Sequence, residues 1–144
     1  MHLVRVDLAD GHVSLTEICG EPNGLVANPP LIDERRMIAV GFDSSNGVIA
    51  AFDIDDVGRT SLRWSHRQNH APHMLLDPDS GLVLTADHDG ERWMEQLVIR
   101  DICTGDEIVR IDSGSPLQSV VFPAAGDERR IYTCSFSTLS SLSW

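Results

Sequence analysis

Apolar residues in this chain come in runs of four to six, either alternating with polar positions or unbroken. Each run ends in a cluster of Asp, Gly, Pro or Ser. This is the period of strands, and no long stretch carries the 3.6-residue period of a helix. The clearest case is "LVIRDICTGDEIVRI" at 97–111, two apolar runs split by a tight polar turn. Residues 48–64, "VIAAFDIDDVGRTSLRW", repeat its outline, and so do residues 3–18, "LVRVDLADGHVSLTEI". Superposing the three puts Asp7, Asp53 and Asp101 in register at spacings of 46 and 48, with Gly11, Gly58 and Gly105 four or five residues later. In such turns an Asp carboxylate accepts backbone N–H groups and Gly supplies the positive φ.

A second unit precedes each complete hairpin: "PPLIDERRMIAVGFD" (29–43), "HMLLDPDSGLVLTADHD" (73–89) and "SVVFPAAGDERRIYTCSF" (119–136). In each, an apolar strand ends at Ile32, Leu76 or Phe122, a polar turn follows, and a second strand begins near Met37, Leu82 or Ile131. Four strands in roughly 46 residues is the sequence signature of a β-propeller blade. With strands lettered A to D from the centre outward, the chain reads C–D (2–18), A–B–C–D (25–65), A–B–C–D (72–111) and A–B–C (117–144). The expected fold is thus all-β: a single partial β-propeller domain over 1–144, with two whole four-stranded antiparallel blades and two incomplete ones. The blade pieces fall at about 1–20, 21–66, 67–113 and 114–144.

The segment "HMLLDPDSGLVLTADHDGERWMEQLVIRDICTGDEIVRI" resembles a WD repeat, and "LQSVVFPAAGDERRIYTCSFSTLSSLSW" is similar to a next one that stops at its signature tryptophan. The family's Trp-Asp position holds Val6, Phe52, Arg100 and Trp144, followed by Asp7, Asp53 and Asp101 where the chain continues. "VIAAFDIDDVGRTSLRW" is about as similar to the repeats of quinoprotein-type propellers. The WD resemblance implies a hydrogen-bonded set of four residues in each blade. In the second whole blade His70, Thr85 and Asp89 match three of those places and Arg100 stands at the fourth. An unpaired buried charge is costly, so Arg100 is expected at the blade surface or beside an acid.

Charge narrows the partners. The formal net charge is −11, and all eleven basic residues are Arg. An acidic chain repels phosphate backbones, which disfavours nucleic acid. The pairs Arg35-Arg36 and Arg129-Arg130 each follow Asp-Glu and read as solvated turns. Cys19, Cys103 and Cys134 are odd in number and have neither zinc-knuckle nor redox spacing, which fits unpaired thiols in a reducing compartment. No apolar run approaches the roughly 20 residues that span a bilayer. "MHLVRVDLADG" also lacks the apolar stretch of a secretory signal. A cytoplasmic location and no membrane association are expected.

Three stretches offer chemistry. "HRQNHAPH" (66–73) presents His66, His70 and His73 at i, i+4 and i+7. A helix would align them for a metal, but the proline within the stretch opposes that helix, so no metal is expected. "DHDGE" (87–91) mimics a calcium loop without its third oxygen ligand or distal Glu, and reads as a turn in which Asp89 bonds the backbone. "GERWMEQ" (90–96) lengthens the B–C connection and sets Trp93 among charges, either folded onto its own blade or displayed as an interface anchor.

No Gly-x-Ser-x-Gly elbow, Gly-rich phosphate loop or His-Glu-x-x-His occurs, and no cofactor is expected. The family resemblance implies a non-catalytic protein-interaction scaffold, a segment of a larger propeller or one completed by another chain through its edge strands. The competing class is a quinoprotein-like or lactonase-like enzyme fragment. In a propeller the D–A and B–C connections share one end. The expected binding residues on that end are Arg67, His70, Asp89, Arg92 and Trp93.

Overall fold

The computed structural model describes residues 1–25, 28–69, 73–116, 122–125, 130–134 and 138–143. Within them the chain is all β, without a helix, and forms four antiparallel sheets. Sheet 1 is β1 (His2–Val6) and β2 (Val13–Glu17). Sheet 2 is β3 (Leu31–Asp33), β4 (Ile38–Asp43), β5 (Val48–Ile54) and β6 (Thr60–Arg67). Sheet 3 is β7 (Met74–Asp77), β8 (Leu82–Asp89), β9 (Met94–Asp101) and β10 (Glu107–Pro116). Sheet 4 is β11 (Phe122–Ala125), β12 (Arg130–Cys134) and β13 (Leu139–Ser143). Neighbours in each sheet follow chain order, in the two-, four-, four- and three-strand grouping that the repeat indicates. One boundary differs from the sequence reading: Phe122 opens β11 instead of closing a strand.

The cores lie between the sheets. β4 and the first part of β5 carry apolar residues at odd and even positions alike, so both of their faces are buried. One face of sheet 2 sets Ile38, Val40, Phe42, Ile49, Ala51 and Trp64 against Val83 and Ile102 of sheet 3. Its other face sets Ala50 and Phe52 against Leu3 and Ile18 beside sheet 1. Beyond, Leu84 and Ile99 meet Ile131, and Ala86 and Leu97 meet Leu142. Each large side chain so buried contributes about 1.5–3 kcal/mol. The first strands of successive sheets are also neighbours, β3 against β7 and β7 against β11.

A bulge in β6 tightens the contact between sheets 2 and 3. Ala51 pairs with Trp64 but Phe52 pairs with Leu62, leaving Arg63 as the extra residue. Adjacent strand residues normally face opposite ways. The bulge lets two consecutive ones reach the same turn of sheet 3. Arg63 Nε donates to the Cys103 carbonyl at 2.6 Å, and Trp64 Nε1 donates to the Ile102 carbonyl at 2.8 Å.

The repeated turn holds in two of three copies. The Asp7 and Asp101 carbonyls accept the Gly11 and Gly105 N–H groups at 2.8 and 2.9 Å, and their carboxylates accept turn amides. In the middle copy Asp55 takes this place, not Asp53, which pairs with Arg63 at 2.6 Å. The cause is that β5 runs on to Ile54, paired with Thr60, which shortens the turn. The glycines keep their role, with φ of 75, 75 and 78° at Gly11, Gly58 and Gly105.

The turns read as plain solvated loops are also joined. Arg35 of "DERR" pairs with Asp79 of "DPDS" at 2.6 Å. Arg36 bonds Asp33 at 2.7 Å and the Pro78 carbonyl at 2.9 Å. They link sheets 2 and 3 at the end away from the connections described next. Arg129 and Trp144 lie outside the described residues.

Candidate binding face

Two kinds of connection meet at one end of the sheets. The segment entering sheet 2 lies on the β4–β5 turn: Leu25 N–H donates to Asp43, the Leu25 carbonyl accepts from Ser44, and Asn46 Nδ2 donates to the Pro22 carbonyl. The segment leaving β6 lies on β8 in the same way. Gln68 Nε2 donates to Thr85 Oγ1 and to the Ala86 carbonyl, both at 2.9 Å, and Asn69 N–H donates to Asp87 at 3.0 Å.

Asp43 and Asp87 are therefore equivalent. Both are buried, and each receives the backbone of the incoming connection. For Asp43, burial pushes its pKa up, but bonds from the Asn46 side chain and backbone and from Cys19 outweigh this and hold the carboxyl below its usual range. The sequence reading gave the buried turn place in sheet 3 to Asp89. The structure gives it to Asp87, and the difference is a hairpin extension. Asp43 pairs with Val48, and Asp87 with Gln96, but β8 and β9 then add the pairs His88–Glu95 and Asp89–Met94. The residues 94–96 read as connection thus belong to β9.

The extension ends in a locked turn. Asp89 accepts the N–H groups of Glu91 and Arg92, both at 3.0 Å, as expected for a turn aspartate. Arg92 Nε returns to Asp89 at 2.6 Å, and its two terminal nitrogens grip Asp112 at 2.8 and 2.7 Å. The Arg92 side-chain bond, before all else, holds the Asp89 carboxyl below its ordinary pKa, and the same arginine does so for Asp112. Two of the three acids of the calcium-like stretch are thus engaged, Asp87 with Arg110 and Asp89 with Arg92.

Trp93 sits at the tip of this turn, 64% exposed, so it does not fold back onto its sheet. Its φ is 53°, in the left-handed region. The matching position before β5 is Gly47, at φ 60°. A glycine position has been filled by the largest side chain, which costs about 1 kcal/mol or more.

Arg67 is exposed at the end of β6 and donates to the Asn46 carbonyl at 2.6 Å. Beside it a groove of about 490 Å³ separates β6 from the end of β2. Glu17, Cys19 and Glu21 line one side, and Ser65, His66 and Arg67 the other. Burial pushes the Cys19 thiol pKa up, and its Sγ donates to Asp43 at 3.3 Å.

His66 packs on Trp64, ring centroids 5.4 Å apart, with its Nε2 buried and without a hydrogen-bond partner. His70 lies outside the described residues. Among the described residues no group of three His, Cys, Asp or Glu is placed to hold a metal.

One polar network had no signal in the sequence. Arg110 bonds Asp87 at 2.8 Å and Glu107 at 2.8 Å, and Glu107 in turn bonds Arg100 at 3.1 Å. Its members sit on β8, β9 and β10, so strand pairing alone brings them together. Arg100, 5% exposed, takes the acidic pairing expected of it but is buried, and burial lowers its pKa. Arg110 holds the Glu107 carboxyl below its usual range.

No helix among the described residues is long and apolar enough to cross a membrane. In comparisons with known proteins, no family model matches the chain and no curated protein matches it significantly. What the structure itself defines is an all-β protein of stacked antiparallel sheets.

Proposed function

We propose that this chain is part of a β-propeller of the WD-repeat kind and serves as a non-catalytic, cytoplasmic protein-interaction scaffold. Three features support a propeller. Neighbouring strands in each sheet follow chain order, the sheets pack face on face, and the first strands of sheets 2, 3 and 4 neighbour one another. The binding face is the end where Gln68–Asn69 meets β8 and Leu25 meets the β4–β5 turn, with Arg67 and Trp93 displayed and Asp89 and Arg92 holding the platform.

The observation that carries the reading is Trp93. An exposed indole at a glycine-like φ works against stability, and such strain collects at functional sites. Tryptophan is also among the residues most enriched at binding hot spots.

The test uses the 144-residue chain as bait and quantifies the captured proteins. Trp93→Gly removes the anchor and relieves the backbone. The thermal midpoint is expected to stay or rise while capture falls by about thirtyfold, the loss of roughly 2 kcal/mol. Arg35→Ala, at the opposite end, is expected to leave capture unchanged. Intact capture by Trp93→Gly with loss in Arg35→Ala assigns binding to the other end.

A further inference from the structure

Asn-Gly occurs twice in this chain, at Asn23-Gly24 and at Asn46-Gly47. This dipeptide carries its own reaction. The main-chain nitrogen of the glycine attacks the side-chain amide carbon of the asparagine, and a glycine, with no Cβ, leaves that approach open. The fold treats the two pairs oppositely.

Asn46 is tied down on several sides. Its Nδ2 donates to Asp43 at 3.0 Å and to the Pro22 carbonyl at 3.3 Å. Its N–H donates to Asp43 at 3.2 Å, and its carbonyl accepts Arg67 at 2.6 Å. The Gly47 carbonyl accepts the Gln68 N–H at 3.0 Å. Asn23, on the connection between sheets 1 and 2, is exposed, and among the described residues no hydrogen bond engages its side-chain amide. The residue after it has to be glycine, because a Cβ on Gly24 would collide with Asp43 Oδ2 and with Met1.

We infer that Asn23-Gly24 is a self-modification site and that the fold shields Asn46-Gly47. The Gly24 nitrogen gives up its proton and bonds to Asn23 Cγ. The Cγ–Nδ2 bond breaks, and Nδ2 leaves with that proton as ammonia. Water then opens the cyclic imide. Opening at the Cγ carbonyl leaves aspartate, and opening at the main-chain carbonyl leaves isoaspartate, whose main chain runs through Cβ and Cγ. Leu25, the second residue on, donates its N–H to Asp43 at 3.3 Å and accepts the Ser44 N–H at 2.9 Å. A longer main chain and a new carboxylate beside the buried Asp43 loosen that seat. The site lies at the end proposed for binding but needs no partner to react.

The test ages the whole chain in warm, mildly alkaline buffer, folded in one arm and in urea in the other, and then cleaves it after arginine. Asn23 falls in fragment 6–35 and Asn46 in fragment 37–59. The other side-chain amide of 6–35, Asn28, precedes a proline, whose nitrogen has no proton to lose. In the folded chain the amide-to-acid mass shift is expected in 6–35 roughly tenfold faster than in 37–59, since the Asn46 amide must first break its hydrogen bonds. In urea the two fragments should convert at comparable rates. Asn23→Gly, which suits the φ of 60°, should abolish the shift in 6–35 and keep its thermal midpoint on ageing, while the aged parent chain melts lower. Faster or equal conversion of 37–59 in the folded chain overturns the inference, as does a gap that persists in urea. So does a folded chain whose 6–35 fragment stays unshifted while the urea arm converts.

Discussion

Trp64 donates its indole N–H to the carbonyl of Ile102 at 2.8 Å, so β6, the last strand of sheet 2, is bonded to the turn that follows β9 of sheet 3. The same indole and the His66 ring lie on Gly105, where a Cβ would come within 2.7 Å of both. One bond and one missing methyl therefore determine how closely two sheets approach.

Gly105→Ala should be the more damaging change at this contact. It adds a Cβ against two rings and places a side chain at φ 78°, so a loss of roughly 2 kcal/mol or more is expected. Trp64→Phe keeps much of the apolar contact but leaves the Ile102 carbonyl without its donor, for about 1–3 kcal/mol. Urea unfolding of both variants checks the order.

Arg110 and Arg100 should behave oppositely on removal. Arg110→Ala removes the guanidinium that pairs with the buried Asp87 at 2.8 Å and is expected to destabilise by about 2 kcal/mol or more. Arg100→Met replaces a buried guanidinium whose Nε finds no acceptor, while Glu107 keeps Arg110. That change is expected to be neutral or stabilising. Thermal melts of the two variants decide it.

Acid should unfold the protein through its bonded carboxylates. Asp33, Asp43, Asp55, Asp89, Glu107 and Asp112 all have lowered pKa values in the fold. Groups depressed on folding add stability above their unfolded pKa and lose it as pH falls through the folded one. Stability should therefore hold down to about pH 4 and decline below it. Melting points between pH 7 and pH 3 test this, and Arg92→Ala should remove the share that comes from Asp89 and Asp112.

Thiol reactivity should separate the cysteines. Cys134 is exposed, whereas Cys19 is half-buried, bonded to Asp43 and pushed to higher pKa by burial first of all. Alkylation at neutral pH followed by peptide mass mapping should label Cys134 well before Cys19, since the thiolate is the reactive form. Asp43→Asn should narrow the gap.

The apolar and polar pattern by itself determined that the chain is all β, how its strands group, and where Gly11, Gly58 and Gly105 turn the chain. These features are local: a period of two and a need for positive φ are written in neighbouring residues. Asp89 was legible for the same reason, because a turn aspartate bonds amides two and three residues ahead. Only the tertiary structure decided what depends on register and packing. The pairs added at His88–Glu95 and Asp89–Met94 moved the buried carboxylate to Asp87. The longer β5 passed a turn from Asp53 to Asp55, and the bulge at Arg63 aimed two consecutive residues at one turn. The network of Asp87, Arg110, Glu107 and Arg100 arises because hydrogen-bonded strands bring together residues far apart in sequence. Trp93 was conspicuous in sequence, but its display rather than burial follows from the left-handed turn that Arg92 clamps between Asp89 and Asp112.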